Sequence, residues 1–393
     1  MEDVDKTIAQ AVEDEVILGA VLVAKDKSGN LDYHRAFGNR QVSPEAKPMQ
    51  PDTVLAIASM TKLMTTIAAL QLVERGAVTL DEDVTKHLDV LGRQDVIKGF
   101  QSDGTPIVER RTHPINLRQL LTHSSGVGYD FQHSEIHRYK KFHKLPSGKT
   151  INERFGTPLL HQPGEGWTYG GSMDWVGRLV EILSGLSLEN YMKKHIWDPL
   201  GIKDATFWPA SRSKEYRERQ SAMSIRDTKT GRAVQSRKPI DLGSGLTEAA
   251  GGQGAFITMG DYMKVMHSLL VDDERLLRRN TTEIMFKPQL SPPAKASLLE
   301  YGWSVGVGNF PETNEYDWGL GGILIDGDKH PYRKRNALLW SGAPNLVWFI
   351  DRTAGVCGVF GCQLLPTKDE KIEGMTQAFE EGVYNYSTNR TKL

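Results

Sequence analysis

The sequence predicts an α+β protein, an antiparallel sheet flanked by helices with a mostly helical domain inserted into it. Three observations lead there. Strand-like runs gather toward the two ends of the chain, at residues 16–37 and beyond residue 215. Short helical patterns separated by loops fill the middle, from about residue 81 to 215. Further helical patterns stand at the extremes, over residues 1–14 and 368–384. Elements in this order bury their apolar faces most simply as helices laid on a sheet, with the middle as an insertion. The expected domains are a sheet lobe built from 1–80 and 216–393 and a helical lobe over 81–215.

Taken along the chain, each element has a local cause. Val4, Ile8, Ala11 and Val12 share one side of the first helix. Val16 to Ala24 and Leu31 to Phe37 flank Lys25-Asp26-Lys27-Ser28-Gly29-Asn30, whose turn-forming residues predict a hairpin. A long helix follows from Leu63 to Glu74 and stops near Gly76. In the middle, Leu117 to His123 reads as a short helix closed by Ser124-Ser125-Gly126. Trp175 to Leu183 stops at Ser184-Gly185, and Leu188 to Ile196 ends at Asp198-Pro199-Leu200-Gly201. Ser211 to Gln220, charge-rich and apolar-poor, is the segment expected to be most mobile. Ala222 to Arg226 and Arg232 to Val234 flank Asp227-Thr228-Lys229-Thr230-Gly231, a second hairpin. Thr258 caps a helix running to Leu270. Tyr301 to Val307, Tyr316 to Ile325, Ala337 to Trp340, Leu346 to Asp351 and Val356 to Leu364 read as strands, before the last helix.

Composition narrows the function classes. The 393 residues are 39% hydrophobic and 25% charged, with a net charge of -1. Interspersed signs at near-zero net charge give no field for nucleic acid or an anionic membrane. No apolar run approaches the roughly 20 residues that span a bilayer. The acidic start, Met1-Glu2-Asp3-Val4-Asp5, lacks a secretory pattern. Two cysteines, Cys357 and Cys362, sit in an apolar strand-like run, so a cytoplasmic protein with buried thiols is expected.

The chemistry begins at Ser59-Met60-Thr61-Lys62, between the apolar run Thr53 to Ala58 and the long helix. A serine at a helix N-terminus sees unpaired backbone N–H groups, which favour developing negative charge. A lysine three residues later lies over the same face, so its amine approaches the hydroxyl. This is the Ser-x-x-Lys nucleophile arrangement. Ser211-Arg212-Ser213-Lys214 has the same spacing in a turn-rich, charged stretch, so position, not spacing, separates the two. A Gly-x-Ser-x-Gly elbow is absent from the sequence. Two further segments supply the partners an acyl transfer needs. Gln162 to Ser172 is a turn-rich loop presenting Tyr169, and a phenol beside an ammonium can act as general base. Trp340-Ser341-Gly342-Ala343 ends an apolar strand, where Gly342 admits a substrate to the edge and the Ala343 N–H faces an oxyanion. Judged alone, each segment is better read as a packed tyrosine or an ordinary edge turn.

In order, Ser59-Met60-Thr61-Lys62, Leu120-Leu121-Thr122-His123-Ser124-Ser125-Gly126, Pro163-Gly164 leading to Tyr169, and Trp340-Ser341-Gly342-Ala343 make the chain resemble the serine β-lactamase and penicillin-binding-protein superfamily. It is most similar to the class C-like esterase and transesterase branch, in particular the fungal lovastatin-type side-chain acyltransferases. Trp167-Thr168-Tyr169-Gly170, Gly319-Leu320-Gly321-Gly322 and Trp340 to Asn345 carry that finer likeness. The resemblance spans about residues 5 to 385 and implies a β-lactamase/transpeptidase-like fold. It implies Ser59 as nucleophile, Lys62 and Tyr169 as coupled base, and the N–H groups of Ser59 and Ala343 as oxyanion hole. Two departures stand out. The family's Tyr-x-Asn is Tyr169-Gly170-Gly171 here, and its cationic Lys-Thr-Gly strand is Trp340-Ser341-Gly342. An indole offers one donor and no charge, so a neutral, bulky acyl or alcohol group is expected in place of a β-lactam carboxylate.

The expected reaction is a ping-pong acyl transfer from an ester or thioester to an alcohol of a secondary metabolite. Hydrolysis of neutral esters, or a non-catalytic binding role on the same fold, are the alternatives. The donor is open among a carrier protein, a coenzyme thioester and a simple ester. No cofactor is called for. Substrate contacts are expected from Trp340, Ser341, Gly342, Tyr129 and Trp318, with Phe131, Trp167 and Trp208 as further candidates for an apolar pocket. His133-Ser134-Glu135-Ile136-His137 with His143 has zinc-ligand spacing, but it lacks a patterned third ligand and is better read as a solvated helix face among Arg138, Lys140, Lys141 and Lys144. Gly251-Gly252-Gln253-Gly254 reads as a turn or site-edge loop.

Overall fold

A strand covered on both faces reads as a continuous apolar run, and Val356–Cys362 is buried along its whole length. It is the centre of the fold. The computed structural model describes residues 1–237, 245–301 and 305–390. The main sheet has eight strands, numbered here β1 (Gly19–Asp26), β2 (Asp32–Gln41), β3 (Lys47–Pro48), β4 (Tyr316–Trp318), β5 (Ile323–Ile325), β6 (Leu338–Gly342), β7 (Leu346–Asp351) and β8 (Val356–Cys362). Their order across the sheet is β4-β5-β6-β7-β8-β1-β2-β3, and neighbouring strands are antiparallel. The two ends of the chain therefore meet at β8 and β1, where Ala20 pairs with Cys362 and Asp26 with Val356.

Five helices matter for the site: α1 (Glu2–Glu13), α2 (Thr61–Glu74), α3 (Ser172–Ser184), α4 (Met259–Val271) and α5 (Glu370–Arg390). The pleat of β8 sends alternate residues to opposite faces. The Cys357 thiol lies 3.4 Å from the Met263 sulfur, and a side chain at Gly361 would strike Met259, so that face carries α4. Gly358 and Phe360 meet Phe379 on the other face, which carries α5 with α1 packed beside it. α2 is buried on every side from Thr61 to Leu72, as a helix threaded through a core must be. It packs on α3, which belongs to the middle segment, and so joins that segment to the sheet. No helix of the described residues is long and apolar enough to cross a membrane.

Several sequence expectations need correction. Tyr301 to Val307 is not a strand as described: Tyr301 ends the helix Pro292–Tyr301, residues 302–304 lie outside the described residues, and no strand is present over 305–307. Tyr316 to Ile325 is two antiparallel strands, because Gly319-Leu320-Gly321-Gly322 turns the chain back. The middle segment contains a hairpin, Val96–Phe100 with Pro106–Glu109, that its irregular polarity concealed; the register shifts between Ile97 and Gly99. Ser211 to Gln220 holds a turn of helix, Lys214–Glu218, with Tyr216 buried. Arg219 there grips both oxygens of Asp204, at 2.9 and 2.8 Å.

Candidate active site

The turn that carries Ser59 is built before the helix begins. Residues Ala58–Met60 form a 3-10 turn leading into α2, and Ala58 has φ +45°, a conformation disfavoured for a residue with a Cβ. Its neighbours hold it there. The Thr61 hydroxyl donates to the Ala58 carbonyl at 2.7 Å and accepts the Ala255 N–H at 3.1 Å, while the Tyr262 hydroxyl donates to the Met60 carbonyl at 2.9 Å. Ser59 is half-buried at the end of this pinned turn.

Three side chains converge on it. Lys62, on the first turn of α2 and buried, donates to Ser59 Oγ at 3.1 Å and to the Gly252 carbonyl at 2.7 Å. The Tyr169 hydroxyl donates to Ser59 Oγ at 2.8 Å. Trp340, on β6, donates its indole N–H to the Tyr169 oxygen at 3.1 Å. The Lys62 ammonium nitrogen also stands 4.7 Å from the Tyr169 ring centroid, a favourable position for a cation. At the end of β6, a side chain on Gly342 would come within 2.5 Å of the Ile57 carbonyl oxygen. Only glycine lets the strand lie this close to the segment entering the Ser59 turn, and Ala343 follows directly.

A family model described as Beta-lactamase matches residues 4–380. The chain belongs to the β-lactamase family. Monacolin J acid methylbutanoyltransferase of Aspergillus terreus is 38% identical to it, with 95% of this chain and 93% of that protein covered. Lovastatin esterase of Penicillium rubens is 37% identical, with 97% of each chain covered. The solved structure of unliganded simvastatin synthase (LovD) from Aspergillus terreus superposes with a TM-score of 0.89 at 36% identity, covering 98% of each chain.

In this β-lactamase-family chain the missing Tyr-x-Asn asparagine has a steric cause. A Cβ at Gly171 would lie 2.5 Å from the Phe155 ring, and one at Gly170 would lie 2.1 Å from the Val127 carbonyl oxygen. The site is completed from elsewhere. Asp174, one turn into α3 and fully buried, accepts the Gly252 N–H at 3.0 Å and, on its other oxygen, the Tyr129 hydroxyl at 3.4 Å. Burial is the main cause that pushes its carboxyl up to about 6, opposed first by the Lys62 charge. Asp174 was not singled out in the sequence; an acid inside the apolar run of α3, five residues after Tyr169, was the available signal. His123, with φ +58° and no exposure, packs its ring 4.7 Å from that of Tyr169 and 5.3 Å from that of Trp318. Burial, and secondarily Lys62, holds its imidazole well below the usual range, so it stays neutral beside the phenol.

The remaining expected contacts fall at different depths. Trp340 has its one N–H engaged by Tyr169, and the Ser341 hydroxyl accepts the Val307 N–H at 2.9 Å. Trp318 is 1% exposed and stands edge-on behind Trp340, ring centroids 4.7 Å apart. Tyr129 is buried against Asp174 and stacks on Phe131, which is 70% exposed. Trp167 and Tyr169 line a pocket of about 640 Å³ together with His133, His161 and Ile97. Trp208 belongs to a different groove, beside Arg178, Ile182 and Glu248. His133 donates from Nε2 to the Tyr169 carbonyl at 3.2 Å, so the histidine helix helps seat the tyrosine loop.

Proposed function

We propose that this chain is a serine acyltransferase: it forms an acyl-Ser59 intermediate from an ester or thioester and passes the acyl group to an alcohol of a polyketide-like secondary metabolite. The observation that carries the reading is the convergence of Lys62 Nζ and the Tyr169 hydroxyl on Ser59 Oγ, at 3.1 and 2.8 Å. In the first step Ser59 Oγ attacks the carbonyl carbon and its proton passes to the Lys62–Tyr169 pair. The carbonyl oxygen takes the electron pair between the N–H groups of Ser59 and Ala343. Collapse restores the carbonyl, breaks the bond to the leaving oxygen or sulfur, and the proton goes with that leaving group. In the second step Tyr169 takes the proton of the incoming alcohol, the alcohol oxygen attacks, and the bond to Ser59 Oγ breaks with return of the proton to serine. The chain is read here as two lobes, 1–80 with 216–393 and 81–215, with Ser59 and Ala343 on the first and Tyr169 on the second.

The alcohol acceptor rests on relatives whose names specify acyl transfer to monacolin J acid and to ML-236A carboxylate, the latter 36% identical over 98% of this chain. An uncharged indole at Trp340 suits a neutral acyl group. The 37%-identical lovastatin esterase supports a second reading, hydrolysis of a neutral ester. Intact-protein mass spectrometry with a panel of esters, coenzyme thioesters and carrier-protein thioesters tests both. An added acyl mass, lost in Ser59→Ala, is expected, and the donor class is the one that gives it. Discharge of that adduct by a polyketide alcohol faster than by water identifies the transferase, and equal discharge in buffer alone identifies the esterase. A chain that never acquires the adduct is a binding protein. Lys62→Ala and Tyr169→Phe should each lower turnover by about a hundredfold or more.

A further inference from the structure

The mechanism above uses Ser59, Lys62 and Tyr169 and leaves one buried acid unexplained. Asp174 lies on α3, and the Lys62 it faces lies on α2, the neighbouring helix. One oxygen of Asp174 receives the Gly252 N–H at 3.0 Å, and the carbonyl of the same residue receives the Lys62 amine at 2.7 Å. The peptide planes around Gly252 are thus held from both sides, by the acid and by the base. The fit is tight: a side chain at Gly252 would come within 2.7 Å of the second Asp174 oxygen and 3.0 Å of the Tyr129 hydroxyl. Thr65 adds a further anchor, donating to the Gly251 carbonyl at 2.6 Å. We propose that Asp174 is a positioning residue for the catalytic base, fixing the Gly252 peptide whose carbonyl orients Lys62 toward Ser59 and placing a buried carboxylate beside that base.

This rests on Lys62 and Tyr169 acting as the base. An ionised carboxylate buried in an apolar helix run is unfavourable without a compensating charge. The groups that face Asp174 are Lys62 from α2, the Tyr129 hydroxyl from the loop after Gly126, the Gly252 N–H, and Arg154 from the helix Ile151–Phe155. All four favour the carboxylate, and burial opposes them. The net effect raises the carboxyl to about 6.

The test is Asp174→Asn, which keeps an oxygen for the Gly252 N–H and removes the charge. Turnover should fall by about tenfold or more with KM nearly unchanged, and the acid limb of the wild-type kcat profile near pH 6 should flatten. Tm at pH 8 should hold or rise, so the loss is not unfolding. Tyr129→Phe, measured in parallel, removes a donor to the carboxylate and should move the same limb to higher pH. An Asp174→Asn protein with wild-type kcat and an unchanged limb overturns the proposal. So does an unmoved limb in Tyr129→Phe, which decides the matter if Asp174→Asn fails to fold. Absence of any acyl adduct on wild-type Ser59 overturns the functional reading instead, a separate outcome read by mass spectrometry.

Discussion

Trp340→Phe separates two roles for the residue that replaces the family's cation. In the structure its N–H is 3.1 Å from the Tyr169 oxygen, and its ring is 5.3 Å from that of Tyr169 and 4.7 Å from that of Trp318. Phenylalanine keeps an aromatic ring there and removes the donor. A hydrogen bond to a charged group contributes about 1.5–3 kcal/mol, and the proposed mechanism develops charge on the Tyr169 oxygen in the acylation step. At about 1.4 kcal/mol per tenfold, kcat/KM at neutral pH should fall by roughly ten- to a hundredfold. The smaller ring also leaves a void, with a stability cost of about 1–3 kcal/mol that appears in Tm and not in the pH dependence. The assay is acylation by a chromogenic ester from pH 5 to 10, followed as release of the leaving group. In Trp340→Phe the acylation rate should be lower than in the wild type at every pH tested. A variant with unchanged kcat, an unchanged profile and only a raised KM would refute this argument and make Trp340 a substrate contact, as the sequence suggested.

Other expectations follow from buried groups. Burial raises the Asp174 carboxyl from 3.8 to about 6, so well below pH 3.8 folded and unfolded chains are both protonated. As pH rises through 4 to 6 only the unfolded chain ionises, and stability falls by something on the order of 3 kcal/mol. Asp174→Asn should accordingly be more stable than the wild type in urea at pH 8, with most of the gain gone at pH 4. Gly171→Asn, which restores the family's Tyr-x-Asn spelling, forces a Cβ against Phe155 and should lower stability by about 1–3 kcal/mol in urea titrations without gain in β-lactam hydrolysis. Glu380→Ala leaves Arg333 buried without its partner, whose oxygens lie 2.6 to 2.9 Å from the guanidinium, and should cost about 3–5 kcal/mol by the same titration.

Local chemistry was legible wherever the cause lay within a few residues. Thr258 caps α4 by accepting the Asp261 N–H at 3.1 Å, and Gly185 ends α3 in the left-handed conformation, both at the places their residue types announce. The strands β1, β2, β7 and β8 follow from apolar runs between turn residues, with boundaries shifted by a few positions. What stayed hidden depended on partners far along the chain. Tyr216 sits in a charged stretch yet is buried, because Arg219 is tied to Asp204 and Asp52. The hairpin at 96–109 breaks its alternation at Gly99, and no window of sequence shows a strand across a bulge.

The same division runs through the site. Sequence alone set the Ser59–Lys62 pair, since a serine and a lysine three apart at a helix mouth are neighbours by the pitch of the helix. It also set the absence of a cation at position 340, because residue type is read directly. Tertiary structure decided the rest. Tyr169 is 110 positions from Ser59, and Trp340 is 171 from Tyr169, so only packing of α2 against α3 and of β6 against the Ala58–Met60 turn makes their hydroxyl, phenol and indole meet. Asp174 and Gly252 join them through a peptide unit that no side-chain pattern encodes. A motif specifies which groups are present; the distances at which they exchange a proton are fixed by the core that surrounds them.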